Sequence, residues 1–489
     1  MVLDPDAAYK VLQAHDARFD GRLFIGVTST RVYCRPVCRV KLPQRRNCRF
    51  YVNAASAERD GFRPCLRCRP EQAPGLSLTD SPTVLAQHAA QLLNQAAHDG
   101  DEVALPAVAA RLGVTDRHLR RIFLAAHGVT PIDYLTTQRL LLAKQLLTDT
   151  ALSVTDVALA AGFGSQRRFN AAFAERYRLS PTGLRRAQRS SNAMAPRDAV
   201  VGPALRLGYR PPYDIEGVIG YFAARAVAGV ETIDQPSHTL RRTLAFAHQG
   251  QACAGWLALR FIAERHEIEA VVSPSLAHAL GAVVQRLRQG LDLDADPVPI
   301  DAALTALPGV PGIRVANGFD GFEIATRVIL GQQVTVAAAR TLTRRLVEAL
   351  GEPIATPFAD LNRLFPTAER LAQATPDAIG RLGIVRQRVG ALQALAREVC
   401  AGRIVLNRGA PLASTLDALR ALPGVGEWTV QLIAMRALAW PDAFPASDIG
   451  VMNALGTRDA KAVAEQSQAW RPWRSYAVMR LWQTLETGT

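Results

Sequence analysis

The chain has 489 residues, 49% of them hydrophobic, and 57 Lys+Arg against 43 Asp+Glu. That length is too great for one core and implies three or four domains, and no apolar run is long enough to span a bilayer. The start, MVLDPDAAYK, lacks a signal-peptide pattern, so a cytoplasmic location is expected.

The positive charge is unevenly placed. Residues 1–197 hold 28 Lys+Arg and 16 Asp+Glu, which is +12 of the total +14; the rest hold 29 and 27. A solubilising surface does not require such a skew, whereas a polyanion partner for the N-terminal part does, and nucleic acid is the obvious one.

Residues 1–78 are short of long helical patterns and rich in Cys, Arg and Pro. In YCRPVCRVKLPQRRNCRFY, Cys34 and Cys38 form a C-x3-C pair, and GFRPCLRCRP adds Cys65 and Cys68 as a C-x2-C pair. Two close pairs of thiolates suit tetrahedral zinc, which supplies much of the stability of so small a unit, on the order of 10 kcal/mol. A purely structural four-cysteine site is the commoner fate of such clusters. Here, however, four thiolates around Zn²⁺ leave a local charge of about −2, so a thiolate remains nucleophilic. Arg31, Arg35, Arg39, Lys41, Arg45, Arg46, Arg63, Arg67 and Arg69 surround the cluster and suit a phosphate backbone. Cys48 lies outside both pairs and reads as a bystander.

From DARFDGRLFIG to CLRCRPE this segment resembles the zinc domain of the Ada adaptive-response family. The resemblance implies irreversible methyl transfer from a DNA methylphosphotriester to the first cysteine of C-R-P-x-C, here Cys34. Turning that thiolate into a thioether brings the local charge from about −2 to about −1, so DNA affinity rises.

Residues 79–189 have helical periodicity. LPAVAARLGVTDRHLRRIF reads as helix, Gly113 turn, then a capped basic helix from about Thr115 carrying Arg117, Arg120 and Arg121. A second unit turns at GFGS and presents Gln166, Arg167, Arg168 and Asn170. Such residues in the first half of a recognition helix meet base edges and phosphates. The tandem pair, ending in SPTGLRR, is similar to the AraC-type DNA-binding domain, which implies promoter binding, with RNA polymerase as a further partner.

Residues 190–203 read as a linker by their small and polar composition. Residues 204–295 mix β-like runs (HTLRRTLAF, AGWLALRF, HEIEAVVS) with helical ones, an α+β pattern, and 296–489 are again helical. In the last segment, LPGVG between amphipathic helices is a helix–hairpin–helix. Gly424 and Gly426 let backbone N–H groups approach DNA phosphate, and the turn's carbonyls can hold a monovalent cation. Asp448, in PASDIG, stands at the start of a helix, where an N-cap is the everyday role of Asp. This stretch resembles the helix–hairpin–helix glycosylase superfamily, in which the aspartate at that place is catalytic: a carboxylate stabilises the oxocarbenium-like state as an N-glycosidic bond breaks. Family members that also cleave the strand carry lysine where Trp428 stands, so no lyase chemistry is expected. Only Cys253 and Cys400 lie in this half, too few for an iron–sulfur cluster.

From about Leu205 to Trp482, GYRPPYDIEGVIGYFAARAV, FEIATRVILGQQVTVAAAR and WRPWRSYAVMRLW look like the AlkA-type 3-methyladenine DNA glycosylase. The resemblance implies a flipped-out alkylated base held by aromatic side chains, at Trp428, Trp473 and Tyr221; cationic bases favour such faces. Two positions depart from the family: Leu432 replaces a pocket tyrosine, and Gln333 replaces the leucine wedged into DNA. The Pro-Cys-His-Arg site of O6-methylguanine repair is absent from the sequence.

The expected architecture is therefore multidomain α+β: a four-cysteine zinc domain, an all-α AraC-type tandem helix-turn-helix, an AlkA-like α+β domain and an all-α glycosylase domain. The expected function is an alkylation-damage response protein acting on double-stranded DNA, associated with the nucleoid through it. Two rivals remain at this level: a zinc-stabilised regulator whose C-terminal half only grips damaged DNA, and a repair enzyme without a regulatory role.

Overall fold

The computed structural model describes residues 4–73, 84–100, 103–150, 152–191 and 202–487. No helix among them is long and apolar enough to cross a membrane. The linker expected at 190–203 lies largely outside the described residues.

The N-terminal unit opens with a helix, Pro5–Gln13, capped by the Asp4 carboxylate, and holds a four-stranded sheet in the order β3-β1-β2-β4. Its strands are β1 (Phe24–Val27), β2 (Val32–Cys34), β3 (Cys48–Tyr51) and β4 (Arg63–Pro64). β1 runs antiparallel to β2 and β3, and β2 pairs parallel with β4, Tyr33 opposite Pro64. That parallel register sets Cys34 and Cys65, each the next residue along, side by side, and the Cys65 amide donates to the Tyr33 carbonyl at 2.9 Å.

Two helix-turn-helix units follow, Leu105–Arg111 with Asp116–His127 and Val154–Ala160 with Gln166–Tyr177, joined by the long helix Pro131–Asp149. Gly113 and Gly162 make the turns at φ +70° and +74°, a region that costs glycine nothing. Thr115 and Ser165 cap the second helix of each unit by accepting from the amides of His118 and Arg168.

The next unit is a five-stranded antiparallel sheet in the order β5-β9-β8-β7-β6, made of β5 (Ala204–Gly208), β6 (Glu231–Asp234), β7 (Thr239–His248), β8 (Gln251–Ile262) and β9 (Glu267–Val272). Gln249 and Gly250, both at positive φ, form the two-residue turn that matches the twist of the long β7–β8 hairpin. Its buried face shares one apolar cluster with residues Leu140–Leu184 of the helical unit. A second cluster, from Ala295 to Leu481, is the core of the C-terminal helices.

Polar contacts tie the N-terminal unit to its neighbours. The fully buried Arg210 donates to the carbonyls of Asp20 and Asp294, Arg22 pairs with Asp296, and Glu71 accepts from Arg69 and Lys144. Glu58 is buried where the zinc unit meets the helices, accepting from Tyr33 Oη and Thr137 Oγ1 at 3.0 Å each, with Arg176 at 3.8 Å. Burial lifts its carboxyl to about 7. The folded value lies above the unfolded one, so this stability is fully present below about pH 4.5 and is lost as pH rises through 7. Glu58→Gln is expected to raise stability at pH 8 by on the order of 1 kcal/mol and to flatten the dependence between pH 5 and 8, as read by thermal melts across that range.

Candidate functional site

Two centres stand out. At the first, the sulfurs of Cys34, Cys38, Cys65 and Cys68 all lie within 4.8 Å of one another. Tetrahedral Zn²⁺ with Zn–S bonds of about 2.3 Å sets its sulfurs about 3.8 Å apart, so the donor set fits with a small contraction. Backbone amides of Arg35 and Arg67 point at the sulfurs of Cys68 and Cys65, both at 3.4 Å, the outer-layer donors that thiolates attract. Cys48 opens β3 outside this cluster, its thiol directed at the Gln44 carbonyl.

The arginines expected around the cluster divide. Arg31, Arg39, Lys41, Arg46 and Arg67 are exposed, and Arg45 is half-buried, pairing with Asp6 at 2.9 Å and lying over Phe50. Arg35 is a correction. It is buried, its guanidinium on the Asp20 carboxylate and the Cys68 carbonyl, so it braces the cysteine loop and is not offered to phosphate. Arg69 likewise turns inward, to Glu71 and Asp149. On the helix-turn-helix units, Arg117, Arg120, Arg121, Gln166, Arg167, Arg168 and Asn170 are all exposed, Arg120 pairing with Asp116 of its own helix.

The second centre is Asp448. It caps the helix Ile449–Ala454, Oδ1 accepting from the Val451 amide at 3.0 Å. Oδ1 also accepts from the Trp482 indole N–H at 2.9 Å, and Oδ2 from that of Trp428 at 2.8 Å. The carboxylate is thus held between two half-buried indoles. Gly450 makes room for one of them: a Cβ there would come within 3.0 Å of Trp482 Nε1 and Cδ1. Trp428 sits in the first turn of the helix Glu427–Arg436, directly after the glycine turn, and Trp482 in the final helix, Arg474–Thr487.

Trp473 is the second correction. It is 4% exposed, packs edge-on against Tyr476 within the core, and does not share the carboxylate. The same run carries Trp470, Trp473 and Trp482, and the sequence pattern does not single out Trp482. Trp473 stands just ahead of the final helix and Trp482 within it, nine residues or about two and a half turns on, so the two indoles face different ways, and it is Trp482 that meets Asp448. Tyr221 is half-buried, with the guanidiniums of Arg225 and Arg436 4.1 and 4.2 Å from its ring centroid, and Arg436 also lies over Trp482. Leu432 is buried in the core.

The turn that carries Gln333 and the glycine turn are braced together. Gln333 is exposed at φ +53°, between the helices Gly321–Leu330 and Val336–Leu350. Its neighbour Gln332 donates to the Gly424 carbonyl at 3.0 Å and to Thr429 Oγ1 at 2.9 Å, and the Gln332 carbonyl accepts from Arg388. Gly424 needs its left-handed conformation, φ +74°, to make this turn, whereas Gly426 has open space around it and leads into the helix.

Comparison with known proteins gives matches along the chain. Family models match for the metal binding domain of Ada at residues 7–71, a helix-turn-helix domain at 108–187, the AlkA N-terminal domain at 204–320, and the HhH-GPD superfamily base excision DNA repair protein at 326–468. A Mycobacterium tuberculosis protein named "Probable bifunctional transcriptional activator/DNA repair enzyme AlkA" is 39% identical, covering 99% of this chain and 97% of its own length. The Escherichia coli "DNA-3-methyladenine glycosylase 2" is 32% identical over 57% of this chain and 96% of its own length. The Escherichia coli "Bifunctional transcriptional activator/DNA repair enzyme Ada" is 36% identical over 33% of this chain and 43% of its own length.

Proposed function

Because this chain belongs to the family of bifunctional transcriptional activator/DNA repair enzymes of AlkA type, we propose that it carries out two chemistries on alkylated DNA and that one of them controls transcription. The observation that carries the larger half is the Asp448 carboxylate held between the indole N–H groups of Trp428 and Trp482. A base flipped from the duplex enters beside these rings. As the N-glycosidic bond breaks, its electron pair leaves with the base, and positive charge develops on the deoxyribose. The Asp448 carboxylate faces that charge, and water supplies the oxygen that closes the bond at C1′. Cationic bases such as 3-methyladenine suit both the indole faces and their own role as leaving groups. Trp428 occupies the place of a Schiff-base lysine, which supports simple hydrolysis without strand cleavage. Gln333 fills the gap left by the base through hydrogen bonds, and Gly424 and Gly426 set the turn that grips phosphate.

In the N-terminal half, Cys34 Sγ attacks the methyl carbon of a methylphosphotriester. The S–C bond forms, the C–O bond breaks, and a phosphodiester anion remains in the DNA. Cys34, Cys38, Cys65 and Cys68 would hold Zn²⁺, which would keep their sulfurs as thiolates. Exposed Arg39, Arg46 and Arg67 hold the backbone, with Arg45 beside them. The transfer reduces the negative charge facing DNA, and the two recognition helices then hold a promoter, with RNA polymerase as the partner that reads the result. A monovalent cation on the remaining carbonyls of the glycine turn belongs to the same proposal.

The test is release of free 3-methyladenine from methylated duplex DNA. Wild type is expected to release it, and Trp482→Leu, which removes one of the two indole donors and one wall, is expected to be slower by about 10²-fold in kcat. Equal release by the two would remove Trp482 from the site, and no release by wild type would sink the reading.

A further inference from the structure

Arg436 is a buried cation without a counter-charge. It is 5% exposed at the end of the helix Glu427–Arg436, whose first turn carries Trp428, and among the described residues no carboxylate lies within ion-pair distance of it. Its guanidinium donates to the Ala316 carbonyl and, at 3.3 Å, to the thioether sulfur of Met479, a weak acceptor. Otherwise it lies over two rings, 4.2 Å from the centroid of Tyr221 and 5.4 Å from that of Trp482. Burial lowers its pKa to about 10, which leaves it charged at neutral pH. A protein that merely needed to fill this space would place an apolar side chain here, because an unpaired buried charge is costly to desolvate.

What the charge touches gives it a use. The Trp482 indole donates its N–H to Asp448, has Gly450 close against that edge, and has Arg436 over the ring. We propose that Arg436 is a positioning and specificity residue for base excision: it fixes the Trp482 ring and, by its charge behind that ring, limits the preference of the pocket for cationic over neutral bases. Cation–π attraction draws electron density of the indole toward the guanidinium. The N–H becomes a stronger donor to Asp448, and the ring becomes less attractive to a second cation. A pocket that relied on bare aromatic faces would discriminate by charge alone; with Arg436 in place, fit and the carboxylate take a larger share.

The inference rests on the glycosylase reading above, and its test separates the two. Release of 3-methyladenine, cationic in DNA, and of hypoxanthine, neutral, is measured for wild type, Arg436→Lys and Arg436→Met, together with the indole N–H resonance of Trp482 in the free proteins. Arg436→Met is expected to lose about 10-fold in kcat on hypoxanthine and markedly less on 3-methyladenine, so that the ratio rises at least about 5-fold, with the indole resonance moving upfield as the hydrogen bond weakens. Arg436→Lys keeps the charge and is expected to hold the ratio within about twofold of wild type. Equal losses on both bases, or an unmoved indole resonance in Arg436→Met, would overturn the proposal and leave Arg436 a packing residue. If Arg436→Met does not fold, Arg436→Gln takes its place, with the same ratio deciding. Failure of wild type to release 3-methyladenine would instead count against the function itself.

Discussion

Asp448→Asn is expected to abolish base release, lowering kcat by about 10³-fold or more, while leaving the fold intact. The substitution separates the two roles open to this residue. Asparagine caps a helix about as well as aspartate, so a residue that served only as the N-cap of Ile449–Ala454 would tolerate it. The site does not. Three N–H donors converge on the carboxylate, from Val451, Trp482 and Trp428. Asparagine offers one acceptor oxygen and one NH₂ group, so whichever way it turns, a donor faces a donor. More important, the neutral amide has no charge to set against the developing oxocarbenium ion. The expected result is a thermal midpoint within a few degrees of wild type with no measurable 3-methyladenine release. An active Asp448→Asn would show that the aspartate is a cap and nothing more.

Removing the metal is expected to have the next largest effect, and on the other half of the chain. The four strands around the cysteines hold two to four residues each, and the apolar clusters beneath them are small. Such a unit takes on the order of 10 kcal/mol of its stability from a structural zinc. Chelation, or Cys38→Ser, is expected to open residues 5–73 to limited proteolysis and to end methyl acceptance by Cys34. Base release is expected to stay within about twofold of wild type, because the C-terminal core, from Ala295 to Leu481, contains no part of the zinc unit. Parallel assays of metal content, methyl transfer and base release check this. Methyl acceptance that survived metal loss would contradict the role given to the four-thiolate site.

Much of this was legible in the sequence because the chemistry concerned sits in local patterns. Cysteine pairs three and four positions apart and a glycine turn ahead of a capped helix each place their key atoms within one or two turns of chain, and LPGVG with an aspartate about twenty residues on is a spacing legible along one stretch of sequence. The strands β7 to β9 were visible as alternating runs, whereas β5 and β6, short edge strands, carry too few residues for a period to register. What was not legible depends on long-range packing. Arg35 looked like its neighbours, yet Asp20 and the Cys68 carbonyl draw it inward. Trp473 and Trp482 were equivalent as letters; only the phase of the final helix decides which indole meets Asp448. Tyr221 and Arg436 are 215 positions apart in sequence and in contact across two units, a pairing no local pattern announces.

Both chemistries in one chain are tested most directly by a single partition measurement. Duplex DNA methylated with a radiolabelled methyl group is incubated with the full-length protein, and the label is followed into protein, small molecules and residual DNA. The account predicts label in the protein confined to the Cys34 peptide, at no more than one methyl group per chain, and label in the small-molecule fraction as free 3-methyladenine that keeps accumulating. Label on Cys38, label absent from the protein, or a small-molecule fraction without free base would contradict it.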